Sequence, residues 1–301
     1  MKSKINTLAS LGLLALGSTL TAQGGFVLFD NATAEIAPEQ KAVRPISAPY
    51  FHEDSFVTTD VRAWYVRHDF DSDTKGVLGN GSATVMAVQV RVALTESLQF
   101  VAYKDGYTEF DDASALDDNS GWNDIGAGIK WAFIQDWENQ FHMAAGIGYE
   151  FSFGDEDVLQ DSDELRLWLS ANKGFDKLHL GATVNAILSE DDSDSLLGNS
   201  DMLTVHLHAD YYLAEWFSPV VEVNGYFAQD DSPTALAAVN FSGVDAGSLP
   251  GGDGEDTYTI AFGGELRVVD GLGLRVAYET ELNDNDSLFG DRWTLSAVYE
   301  F

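Results

Sequence analysis

The sequence predicts an all-β chain, a transmembrane up-and-down antiparallel β-barrel of about twelve strands. Three observations predict it. Apolar and polar residues alternate with a period of two over one stretch after another. The links between these stretches alternate between short and long, and aromatic residues gather near the stretch ends.

Composition bounds the function. The chain has 301 residues, 49 of them acidic and 16 basic, with a formal charge of −33. That charge argues against nucleic acid, whose phosphates need Lys and Arg. The sequence has no cysteine, which removes disulfides, thiolate metal sites and a lipid-anchored cysteine. Its mean hydropathy of −0.11 would suit a soluble protein, but alternating strands never produce a long apolar run.

The single long apolar run stands at the start. Lys2 and Lys4 precede Ile5–Gly17, and small residues lead to a cleavage point after Ala22. This is the pattern of a signal peptide over residues 1–22. The run is too short for a membrane-crossing helix of about 20 residues. Residues 23–54 are polar and contain Pro38, Pro45 and Pro49. They read as a periplasmic lead-in or a plug-like segment tucked into the barrel, and residues 55–301 as the barrel itself.

The candidate strands are 57–68, 83–94, 98–105, 122–133, 140–152, 164–172, 177–188, 202–213, 218–228, 257–268, 272–281 and 292–301. The fourth sets Ile125, Ala127, Ile129, Trp131 and Phe133 against Asp124, Gly126, Gly128 and Lys130. The eighth sets Leu203, Val205, Leu207, Ala209 and Tyr211 against Thr204, His206, His208 and Asp210. The first and third alternate less cleanly. Links after the even-numbered strands are short, such as Thr95-Glu96-Ser97 and Val269-Asp270-Gly271. Links after the odd-numbered ones are long. A transmembrane barrel sorts its periplasmic turns from its outer loops in this way, and a Greek-key sandwich does not. Aromatics form one group around Trp131, Phe133, Trp216, Phe217, Tyr299 and Phe301, and another around Trp122, Tyr149, Phe151, Tyr258, Tyr278 and Trp293.

The residues opposite the apolar faces are the candidate pore lining: Arg91, Lys130, Glu150, Arg166, His179, His206, His208, Glu222, Glu265, Arg267, Arg275 and Glu279. A charge facing lipid costs about 2–4 kcal/mol for Arg or Lys at the midplane, so physics alone places them inward. They either line a water-filled lumen or pair across a narrow one and close it. Inward glycines at 126, 128, 146, 148, 181 and 263 leave space or relieve curvature. The long links are acidic, with Lys75 their one basic residue. Asp191, Asp192, Asp194, Asp284 and Asp286 are oxygen-rich enough to hold Ca²⁺ or Mg²⁺, although no stretch has EF-hand spacing. The same carboxylates could draw cations to a pore mouth, or merely form a solvated surface. No serine stands two residues from His206 or His208, so hydrolysis lacks a nucleophile beside a base, and the sequence reads as a non-enzyme.

The last strand, Arg292–Phe301, places Trp293, Leu295, Ala297, Tyr299 and Phe301 on one face. It resembles the C-terminal signal of bacterial outer-membrane proteins, a terminal Phe with apolar residues at every second position before it. The resemblance implies that the barrel-assembly machinery reads Trp293, Leu295, Tyr299 and Phe301. Gly121-Trp122-Asn123-Asp124-Ile125-Gly126-Ala127-Gly128-Ile129-Lys130-Trp131 resembles a strand of the MetA-pathway phenol-degradation barrels. That likeness, over about a dozen residues, implies a porin-like transporter of small compounds. The expected function is an outer-membrane channel or transporter for passive passage of small solutes, in contact with outer-membrane lipid and lipopolysaccharide. The alternative is a structural or adhesive barrel with a closed lumen and cation-binding acidic loops.

Overall fold

The computed structural model describes residues 36–70, 81–111, 119–158, 163–189, 201–228, 256–283 and 289–301. Among them are fourteen strand segments: β1 (Asp60–Phe70), β2 (Ser82–Ala93), β3 (Leu98–Lys104), β4 (Tyr107–Asp111), β5 (Ser120–Trp122), β6 (Ile125–Asp136) and β7 (Phe141–Phe151), followed by β8 (Glu164–Phe175), β9 (Leu178–Ser189), β10 (Met202–Tyr211), β11 (Phe217–Ala228), β12 (Thr257–Val269), β13 (Leu272–Glu281) and β14 (Phe289–Glu300). All pairings are antiparallel, and β1 pairs with both β2 and β14, so the sheet closes on itself. β3 and β4 both run along β2 and form one interrupted strand, and β5 and β6 form the next. The result is a closed barrel of twelve strands. The final strand seals it, with Asp60 opposite Glu300 and Arg67 opposite Trp293.

The strands are turned inside out relative to a soluble domain. β10 buries Met202, Thr204, His206, His208 and Asp210 while Leu207 is 50% exposed. In water that arrangement would be unstable, because burying polar groups costs free energy and exposing leucine gains none back. In a bilayer it is what the surroundings demand, with apolar side chains toward lipid and polar ones toward the interior. The aromatics predicted near the strand ends pack as pairs with at least one ring exposed: Trp131 with Phe133, Trp216 with Phe217 and Tyr299 with Phe301 near the short links. Tyr149 with Phe151, Phe227 with Tyr258 and Tyr278 with Trp293 lie near the long ones.

Most strand boundaries differ from the sequence reading by a few residues, and two of the differences bear on the interior. The first strand begins at Asp60, not at residue 57. Thr58 is held instead by a wall side chain, with Gln99 Nε2 donating to its carbonyl oxygen at 2.6 Å. The link predicted over 105–121 shrinks to 112–119, because β4 and β5 extend the hairpin beyond a kink. At the kink Gly106 has φ +128°, and a Cβ there would lie 2.7 Å from the Met86 carbonyl oxygen. Asp105 accepts the Val88 N–H at 3.1 Å, filling the gap in the ladder. Near the long links, the Asp163 carboxyl is held below its ordinary range by the Ser152 backbone N–H, helped by the Tyr149 and Ser152 hydroxyls.

The inward glycines are not open lumen. The Tyr103 ring lies over Gly126 and Gly148, and the Trp168 ring covers Gly146 so closely that a Cβ would sit 2.0 Å from it. Gly146→Val should therefore destabilise the barrel by about 1–3 kcal/mol through overpacking. The heat-dependent gel shift of the refolded protein would reveal this, and an unchanged transition would mean that Trp168 can move aside.

Candidate functional site: a hairpin held in the barrel interior

Residues 42–59 enter the barrel at its short-link end, rise along the wall, reverse, and descend into β1. The reversal is at Ala48–His52, where Ala48 takes φ 50° and its carbonyl oxygen accepts the Phe51 and His52 N–H groups. Every residue from Val43 to Asp60 is buried. The segment joins no ladder. Its backbone polar groups still need partners in a site shielded from water, and wall side chains supply them.

On the rising arm, the Val43 N–H donates to Asp210 at 3.1 Å. The Ile46 N–H, Ser47 N–H and Ser47 hydroxyl all donate to Glu222. Those two carboxylates are bridged by His208, with Nε2 3.1 Å from Asp210 and Nδ1 2.6 Å from Glu222. His179 Nδ1 meets the other Asp210 oxygen at 2.8 Å. His206 bonds Asn224 and Thr204, and the His52 ring stacks on it with centroids 5.2 Å apart.

At the reversal, Arg166 donates to the carbonyl oxygens of Tyr50 and Phe51 and lies against the rings of Tyr103 and Trp168. The descending arm is ionic. Glu53 pairs with Arg91, and Asp54 pairs with Arg62 and Lys130, each at 3.3 Å. Ser55 donates to Asn172 through its N–H and its hydroxyl.

Both ends of the insert are sealed by apolar contacts. Toward the long links, Ala48, Tyr50 and Phe51 cluster with Phe70, Val85, Phe110, Ile187, Met202 and Tyr226. At the entrance, Phe56 packs on Trp137 and His142 beneath the Arg44 guanidinium.

All twelve predicted lining residues lie on the inner side of the wall, but they do different things. Arg91, Lys130, Arg166 and Glu222 grip the hairpin through polar contacts, His206 stacks on its His52, and His179 and His208 support that grip. Glu150 pairs with Lys104 on the wall. Glu265 pairs with Arg275 at 2.7 Å and with Arg267 at 3.4 Å, and Glu279 pairs with Arg292 at 2.6 Å. Trp293, Leu295 and Tyr299 face outward, and Phe301 donates its N–H to the Thr59 carbonyl oxygen at 3.0 Å. Asp191, Asp192, Asp194, Asp284 and Asp286 lie outside the described residues.

Sequence reasoning missed Glu53, Asp54, Asp60, Arg62, Lys104 and Arg292 as interior groups. Parity did carry a signal for Arg292, which stands opposite Trp293 and Leu295. No periodicity marks Glu53 and Asp54, because their segment is not a strand.

No protein-family model matches the chain, and no curated relative matches it. Solved structures do. The COG4313 outer membrane channel from Pseudomonas putida F1 is 16% identical, with a TM-score of 0.61 over 86% of this chain and 100% of that one. The NanC porin is 11% identical, with a TM-score of 0.50 over 81% of this chain and 100% of that one. At such identities the likeness establishes architecture alone. The fold is that of the bacterial outer-membrane β-barrels, the class that its alternating strands and links predict.

Proposed function

We propose that the protein is an outer-membrane channel for passive passage of small solutes, and that hairpin 42–59 is its resident constriction. The observation that carries this reading is the nature of the hairpin's attachment. It is held by side chains rather than by strand pairing, and largely through ion pairs and hydrogen bonds that water can replace. An insert of that kind is separable from the wall. The wall's own pairs, Glu265 with Arg275 and Glu279 with Arg292, keep their partners when it moves. The apolar outward face and the paired aromatics support residence in the outer membrane. The signal-peptide pattern of residues 1–22 and the Trp293–Phe301 pattern support export and delivery by the assembly machinery.

The absence of cysteine makes the test clean. Ser47 Oγ and Asn224 Nδ2 are 3.0 Å apart, so Ser47→Cys with Asn224→Cys places two thiols across the hairpin–wall contact. Closed by oxidation or a short thiol cross-linker, this variant should be silent in planar bilayers, and reduction of the oxidised form should restore conductance. Equal currents in both states would remove the hairpin from the conduction path. Silence in both states, with wild type silent too, would favour the structural or adhesive barrel.

A further inference from the structure

The interior charges are paired in two different ways. Around β12–β14 most partners are on the wall, with Glu265 beside Arg275 and Glu279 beside Arg292, while Arg44 of the hairpin makes one link to Glu300 at 3.3 Å. Around β1, β2 and β6 the wall is cationic, and most of its counterions come from the hairpin. Arg91 meets Glu53 through two nitrogens, Nη2 and Nε. Lys130 Nζ lies 3.9 Å from Glu53 Oε2 and 3.3 Å from Asp54 Oδ1, bridging the two carboxylates. Arg62 Nη2 is 3.3 Å from Asp54, and its Nε pairs with Asp60 at 2.7 Å. The three cationic side chains are almost wholly buried, at 1%, 1% and 0% exposure for Arg62, Arg91 and Lys130.

We propose that Arg62, Arg91 and Lys130 form a binding site for small carboxylate-bearing solutes, dicarboxylates above all, which Glu53 and Asp54 occupy in the closed barrel. The inference rests on the reading of the hairpin as a movable constriction. When the hairpin withdraws, Glu53 and Asp54 leave together, Arg44 leaves with them, and Asp60 is the carboxylate that stays with the three cations. Concentrated positive charge in a partly dehydrated site is costly unless an anion replaces what was lost. Guanidinium groups take carboxylates through paired N–H donors, and a lysine between them accepts a second carboxylate as a point charge. Glu53 and Asp54 are adjacent residues, so the cradle already holds two carboxylates side by side, as a short dicarboxylate would present them. This interior runs against the acidic outer links, from which passage of cations would be expected.

The test is the reversal potential of the purified full-length protein in planar bilayers under a KCl gradient, with and without millimolar succinate. Chloride should be preferred over potassium, and succinate should reduce the current. In Arg91→Gln, the preference should fall by at least about two-fold and the succinate effect should weaken, because one wall of the cradle is lost. Lys130→Gln serves the same purpose if the first variant fails to assemble. Conducting pores that prefer potassium and ignore succinate would overturn the anion site and leave the channel standing. A membrane that stays silent would overturn both.

Discussion

Asp54→Ala should lower the stability of the barrel by about 3–5 kcal/mol, the usual consequence of removing one partner from a buried ion pair. Asp54 is fully enclosed and touches three cations, with Arg62 and Lys130 at 3.3 Å and Arg44 at 3.8 Å. Its carbonyl oxygen also accepts bonds from Lys130 and Ser170, but those belong to the backbone and survive the substitution. The Asp54 Oδ1 also accepts the Phe56 N–H at 3.0 Å, a bond that Asp54→Asn can keep. That variant therefore isolates the charge, and it should still lose most of the stability that Asp54→Ala loses. Thermal unfolding in detergent, followed by the loss of β circular dichroism, gives the comparison. If Asp54→Asn melts with wild type, packing rather than charge holds the descending arm.

Glu222→Ala should have the second large effect, and one more specific to the hairpin. Four donors converge on this carboxylate: the Ile46 and Ser47 N–H groups, the Ser47 hydroxyl and His208 Nδ1. A buried donor left without an acceptor costs about 1–3 kcal/mol. The donors share one acceptor and will not add fully, so about 3 kcal/mol or more is expected. The rising arm can escape that cost by leaving the wall, because its partners are side chains. Glu222→Ala should therefore raise both open-channel frequency and proteolysis of residues 42–59 from the short-link side. Glu222→Gln, which keeps one acceptor oxygen, should fall between. Wild-type protease resistance in Glu222→Ala would show that the apolar contacts at the tip suffice.

The wall was legible from sequence because one physical rule governs it. Side chains that alternate across a pleated strand must sort between lipid and interior, so Leu207 and His208 could be assigned to opposite faces without coordinates. The first strand alternates poorly for a reason visible only in three dimensions. Its inward Trp64 packs with Val43 and Ile46 of the hairpin, and Val66 packs with Ala48 and Tyr50, so its inner face is partly apolar. The hairpin was harder still. It has no period, because each of its residues answers to a particular wall side chain rather than to a repeating surface. Its prolines and scarcity of alternation fitted a free lead-in as well as an insert. The grouping of charges was likewise hidden. Parity places Arg91 and Lys130 inside, but it does not say that their counterions come from residues 53 and 54.

Residues 42–59 should occupy the barrel interior in the membrane. Ser55 Oγ lies 2.7 Å from Asn172 Oδ1, joining the descending arm to β8. With Ser55→Cys and Asn172→Cys in an otherwise cysteine-free chain, treatment of whole membranes with a short thiol cross-linker should join the two positions in nearly every molecule. The junction would be read by mass spectrometry of the digested barrel. Two unjoined thiols, each open to a membrane-impermeant maleimide before any unfolding, would place the hairpin outside the barrel.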